Sequence, residues 1–331
     1  MDEDAEIKGI DTGSEPGSRL IKIITREPGM YEVSSESLHD FGIDLQTYPD
    51  DGIKLFHKHQ PQTHWLIDES GVLLIRFYAQ ESNNPYSTEN VYWLSLCGSG
   101  SDCLNLEETE TLQLSEFSEA GDMHNPDPVF PEILSDADSY YSKVRLEVNQ
   151  IYNPQVEGDD HWFWYSMNAP DQKNVEFSVQ DLETGDAYVR VELWGATEAV
   201  QSPDHHLVLQ INGNQILEEM WDGKGARLVD GYFDARELKN GSNSIDIEIP
   251  GLAEVSADIV LINRIAVVYP RKLNPEKDRL EFVSPGAEHK LSGFESPMSV
   301  YDVTDPESSL LVSESRSGEI SFKGERGHRY W

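Results

Sequence analysis

The chain has 331 residues, room for two or three domains that each bury a core. Its 25 basic and 61 acidic residues leave a net charge of −36, so its surface repels nucleic-acid phosphates and anionic membranes and argues against both as partners. A hydrophobic fraction of 38% with 10% aromatics suits folded β domains rather than a disordered chain.

In chain order, residues 1–18 are polar and carry Gly, Ser and Pro, and predict a disordered lead-in. Leu20, Ile21, Ile23 and Ile24 predict a first strand, and Pro28-Gly29 turns the chain into a second at Met30–Val33. Ser34 to Phe41 predicts a short helix with Ser34 as N-cap, ended by Gly42. Further strands are expected at Ile53–Phe56, Val72–Tyr78 and Asn90–Leu96, completing a small β domain over 19–115. Residues 116–157 are acidic and Pro-containing, and predict a linker or arm.

From 158 to 270 the period is two almost throughout, as in Val175/Phe177/Val179 and Val189/Val191/Leu193. Leu207, Leu209 and Ile211 lead into Asn212-Gly213, a dipeptide that tolerates positive φ, and Ile216 opens the next apolar run, which together predict a hairpin. Asn240 to Asn243 reads as a second turn, before Ile245, Ile247 and Ile249. Some eight strands over this stretch fit a jelly-roll sandwich. Residues 271–331 predict a third, smaller β unit. The fold class is therefore all-β, a multi-domain β-sandwich protein with a central jelly-roll-like domain flanked by smaller β domains.

Chemistry is sparsely written. No GxSxG, HExxH, P-loop or dinucleotide fingerprint occurs, and the catalytic set is empty. Cys97 and Cys103 frame a flexible CGSGSDC loop that closes a disulfide of good geometry or leaves two unrelated thiols. A disulfide would place the chain outside the reducing cytosol, in the extracellular space or cell envelope. No charged-then-apolar leader heads the chain, and no run is long enough for membrane insertion. Calcium is the one cofactor the residues admit: Asp159, Asp160 and Asp222 sit in predicted turns, though plain turn chemistry accounts for them equally. His57 and His59, with His64, form a chelate only if they share a strand face. His205 and His206 predict one packed and one exposed imidazole. Trp162, Trp164, Trp194 and Trp221 build either core or a platform for surface glycans.

The runs GMYEVSSESLHDFGIDL, GVLLIRFYAQ and YSTENVYWL resemble the N-terminal region of gingipain-type cysteine peptidases, the group that includes the sortase-like peptidase of type IX secretion. Tyr31, Val33, Leu38 and Gly42 carry the first part of the resemblance, and Phe77, Tyr78, Tyr86, Ser87, Asn90, Tyr92, Trp93 and Leu94 the rest. GDDHWFW, NGSNSIDIEIP and GFESPMSVYDVTDP fit the same layout, so the likeness covers most of residues 20–331. It implies that the catalytic His and Cys lie in a caspase-like domain downstream of these β modules, and that this chain, lacking it, is no enzyme. The implied partners are that domain of the same polypeptide and the secretion machinery. A carbohydrate- or calcium-binding adhesin module is the alternative.

Overall fold

Alternating burial along antiparallel strands organises the computed structural model, which describes residues 6–10, 18–82, 89–98, 139–156, 161–295 and 297–331. The protein is all-β and multi-domain. Its chain divides into two units, the first drawn from Met1–Ser118, Glu295–Ile320 and His328–Trp331, the second from Glu119–Phe294 and Ser321–Gly327.

In the first unit β1 (Glu6–Ile10), β2 (Ser18–Thr25), β3 (Gly29–Ser34), β4 (Ile53–His57), β5 (Gln60–Gln62), β6 (Trp65–Glu69), β7 (Val72–Ala79) and β8 (Asn90–Cys97) form two sheets, ordered β1-β2-β8-β4-β5 and β3-β7-β6. Successive side chains point to opposite faces. Ile21 and Ile23, Tyr92, Leu94 and Leu96, Ile53 and Leu55 therefore meet Val33, Ile75 and Phe77 in one core. β7 buries residues of both faces, because Tyr78 joins a second cluster with Met30, Tyr301 and Val303, which explains its run VLLIRFYA, apolar but for Arg76, which pairs with Glu32. Between β3 and β4 lies α1 (Ser35–His39), whose N-cap Ser34 accepts from the Ser37 amide as expected. Its end is a Schellman motif: Ile43 N–H donates to Leu38 O and Gly42 N–H to His39 O, with Gly42 at φ +72°.

The second unit contains β9 (Ser139–Leu146), β10 (Ile151–Tyr152), β11 (Trp162–Phe163), β12 (Tyr165–Asn168), β13 (Asp171–Val179), β14 (Asp186–Gly195), β15 (His205–Ile211), β16 (Asn214–Trp221), β17 (Gly225–Asp234), β18 (Gly241–Ile249), β19 (Ile259–Lys272), β20 (Phe282–Val283) and β21 (Glu288–Ser292). One sheet runs β12-β19-β14-β17, with β9 also on β19, and the other β13-β18-β15-β16. Their inner rows, among them Val189, Val191, Ile245, Ile247 and Ile249, make the sandwich core. The expected hairpin joins β15 to β16, with Asn212 and Gly213 at φ +51° and +85°, the two positive φ values of a primed turn. The chain then supplies β22 (Met298–Asp302), β23 (Leu310–Ser315), β24 (Glu319–Lys323) and β25 (Arg329–Tyr330).

Four expectations need correction. Within the lead-in over 1–18, residues 6–10 form a strand along β2; EIKGI is too short and too charged to announce itself without its partner. The linker over 116–157 contains β9, an integral strand of the sandwich, because Tyr140, Val144 and Leu146 recur on one face. Residues 271–331 are shared between the two units instead of forming one of their own. Asn240 to Asn243 is only half a turn: Gly241 opens β18, and Asn243 is a buried strand residue whose side chain bonds the Lys239 backbone.

β17 carries no clear strand signal because it opens on Gly225 and Gly231 interrupts it. At Gly231 an added Cβ would lie 3.1 Å from the Leu217 Cβ, so the missing side chain is what lets the facing strands approach. Ile247→Ala, at a fully buried position, should lower unfolding free energy by about 2–5 kcal/mol. Leu228→Ala, on the solvent side of β17, should stay within about 0.5 kcal/mol of wild type in the same urea titration.

Candidate functional site

One end of the second unit's sandwich gathers the loops at 169–170, 196–204, 222–224 and 250–258. Two open depressions lie there, of about 610 and 290 Å³, sharing Ser256 and Ala257 as a common wall. Glu198 and Lys224 are the charged side chains of the larger; Asp258 is the charged residue of the smaller. Neither is lined by a histidine or cysteine, so both suit binding of a small polar molecule and not acyl transfer.

Beneath them sits a buried ionic cluster. Asp204, His205 and Asp258 are 1%, 0% and 2% exposed, and charges so buried persist only when paired and hydrogen-bonded. His205 Nδ1 lies 2.6 Å from Asp258 Oδ1 and Nε2 3.1 Å from the Thr197 carbonyl. The second Asp258 oxygen accepts from the His206 amide, while Asp204 accepts from Ala199 and Gly223 N–H. Burial pulls the His205 pKa down, but the Asp258 carboxylate, the Thr197 carbonyl and Asp204 outweigh it, and the net direction is up from 6.5. Burial likewise works to raise Asp204, and the two amide donors and His205 reverse it, leaving it below 3.8. The Trp221 ring stacks on the imidazole at 4.8 Å. Gly195 closes the nest, since a Cβ there would meet Gly223 O at 2.8 Å and His205 Nε2 at 2.9 Å.

The residues singled out in the sequence scatter. Asp222 is exposed in the β16–β17 turn, and among the described residues no three His, Cys, Asp or Glu side chains gather in a way that could hold a metal; Asp159 and Asp160 lie outside the described residues. Cys97 is buried at the end of β8 and disulfide-bonded; Cys103, the other cysteine of the chain, lies outside the described residues.

His57 and His59 do not share a strand face. Lys58 and His59 are the turn itself, at φ +49° and +68°, and the His57 ring is enclosed between Asn90 Oδ1 at 2.9 Å and Gln80 Nε2 at 2.8 Å. Burial lowers its pKa, so the neutral ring donates from Nε2 and accepts at Nδ1. His205 is packed as expected, but His206, expected to be exposed, is half-buried beside Glu218. The four tryptophans do not join in one platform: Trp164 and Trp221 belong to the sandwich core, Trp194 packs on a cluster with Phe163 and Leu261, and half-buried Trp162 lies beside Tyr152 with ring centroids 5.2 Å apart. Ser284 Oγ and His289 Nε2 are 2.8 Å apart, yet both are buried.

Asp258 was the residue missed. It sits 53 positions from His205, in a stretch with no local signal, and only the return of β19 beside β14 brings it there.

Fold and site together define an all-β, multi-domain sandwich protein with an open cavity at one sandwich end. No protein-family model matches the sequence, and no curated protein matches it. Among solved structures the chain is similar to dimeric latent PorU from Porphyromonas gingivalis, with a TM-score of 0.64 and 16% identity over 95% of this chain and 32% of that one. The likeness is one of fold, and the chain spans about a third of that protein's length. It also matches a family 35 carbohydrate-binding module from Clostridium thermocellum at TM-score 0.24 and 13% identity, over 38% of this chain and 90% of that one. A CBM36 module in complex with calcium and xylotriose matches at TM-score 0.25 and 12% identity, over 38% and 98%.

Asp258→Ala leaves the buried His205 ring and the His206 amide without their carboxylate partner and should cost about 3–5 kcal/mol in urea unfolding. Asp222→Ala, on the exposed turn, should fall within about 0.5 kcal/mol of wild type.

Proposed function

We propose that this chain is the non-catalytic N-terminal β region of a secreted gingipain-type cysteine peptidase, positioning, docking or restraining a caspase-like domain carried downstream in the same polypeptide. One observation carries the reading: the chain follows the fold of latent PorU over 95% of its own length while spanning 32% of that protein. The order of the Tyr31–Gly42, Phe77–Tyr78 and Asn90–Leu94 segments supports it. So does the chemistry of the described residues. Cys97 is disulfide-bonded, His57 is enclosed, and the Ser284–His289 pair is buried, so none offers an accessible nucleophile beside a base. The disulfide suits an oxidising compartment such as the cell envelope or exterior. Interaction with a secretion machinery belongs to the same proposal.

A second reading, a carbohydrate- or calcium-binding adhesin module, is favoured by the loop-end depressions alone. Two measurements separate the readings. The purified chain should hydrolyse no fluorogenic peptide, and the coding sequence downstream of Trp331 should encode a His and a Cys within an α/β pattern. Hydrolysis abolished by Cys97→Ala, or a different downstream domain, would sink the scaffold reading. Millimolar calcium should leave the melting temperature unchanged and elicit no binding on a glycan array; calcium-dependent glycan binding would favour the module instead.

A further inference from the structure

We propose that His205 is a proton switch for the β14–β15 loop: one proton on its ring fastens the loop that walls the larger depression, and losing that proton releases the loop at Thr197. The inference goes beyond the scaffold reading and does not depend on it.

The geometry sets the logic. Both ring nitrogens face acceptors, Nδ1 the Asp258 carboxylate and Nε2 the Thr197 carbonyl, and two acceptors need two N–H donors. Only the imidazolium has both. When the ring gives one proton to water, the remaining N–H stays with the ionised carboxylate, the stronger acceptor. A lone pair on Nε2 then faces the Thr197 oxygen, and attraction becomes repulsion. Thr197 is the root of the loop: its Oγ1 accepts from the Ile259 amide, and its neighbour Ala196 donates to Ile259 O. Thr197, Glu198, Ala199, Val200 and Gln201 then form one wall of the depression.

The charged and polar groups facing the ring from each packed element are few. Asp204, at the loop's end just before β15, has Oδ1 3.8 Å from Nε2, Asp258 comes from the segment before β19, and Thr197 O follows β14. The Trp221 indole of β16 covers one face, and Gly195 leaves room beside Nε2. His206 on the neighbouring position turns to Glu218 instead.

The sign follows from linkage. The His205 pKa is raised on folding, so the proton stabilises the fastened loop. That contribution is complete below 6.5 and is lost as pH rises through the raised value. Asp204, displaced downward, stays ionised across this window and adds no dependence of its own.

The test is amide hydrogen exchange of the full chain between pH 6 and 9, corrected for intrinsic exchange, read at Thr197 to Gln201, alongside NMR titration of the His205 ring. Protection in the loop should fall by about ten- to hundredfold, the worth of one charge-assisted hydrogen bond, with the midpoint of the His205 titration. His206→Gln should leave that profile intact, and His205→Gln should make it flat. Protection independent of pH, or a midpoint unrelated to the His205 titration, would overturn the proposal, as would an unchanged profile in His205→Gln. Should that variant fail to fold, coincidence of the two wild-type midpoints decides the matter.

Discussion

The constraint on which everything else rests is the burial of period-two aliphatic rows between antiparallel sheets. Once Ile245, Ile247 and Ile249 face Val189, Val191 and Leu193 in one core, alternate residues of the same strands must face the other way. On β18 these are Ser244, Asp246 and Glu248, which take up none of the core. A one-residue slip would exchange the two sets, so the register is fixed by hydrophobicity alone. Variation is left to loops, edges and outer faces, and the loop-end depressions occupy one of the few places that the core does not dictate.

Several polar groups inside these cores are saturated by hydrogen bonds. His57 is held by Asn90 and Gln80. Asn212 donates to Glu237 O and to Asn243, which itself bonds the Lys239 backbone. Ser284 serves both His289 and the Gly286 amide. The His57 and Asn212 networks tie segments remote in sequence, the Ser284 network is local, and in each the groups that look reactive are spent on structure. The Asp204–His205–Asp258 cluster differs in that both ring nitrogens of its histidine face acceptors.

What could be read from the sequence was whatever repeats locally. The α1 cap at Ser34, the Asn212-Gly213 hairpin and the rows of β13, β14, β15 and β18 each follow from a few neighbouring residues, and they made the all-β sandwich legible. β17 was illegible because Gly231, where the facing strand approaches too closely for a side chain, interrupts its apolar pattern, and Gly225 at its start adds no apolar residue. Asn243 misled because Asn-Gly-Ser-Asn has turn composition, yet its amide does the work of turn hydrogen bonds from inside a strand. The His57–His59 chelate failed on backbone conformation, since Lys58 and His59 adopt the positive φ of a tight turn. The site is illegible for a deeper reason: Asp258 and His205 meet only after β14, β15 and β19 have found their sheets, and no window of sequence contains that event.

The acidity takes on a more definite meaning from the arginines. Arg76, Arg145, Arg190, Arg227, Arg236, Arg264 and Arg271 each lie within ion-pair reach of an Asp or Glu of their own unit. The bidentate Arg190–Asp230 pair lies across β14 and β17, where it locks strand to strand. With so many arginines engaged internally, the excess of carboxylates is left to solvent, and it keeps copies apart. That repulsion matters at β23, an edge strand exposing Leu310, Leu311 and Val312. A break in register at Val312 interrupts its ladder with β22, one of the devices by which edges resist indiscriminate pairing. Charge and bulge act in the same direction, both opposing indiscriminate pairing along the apolar edge.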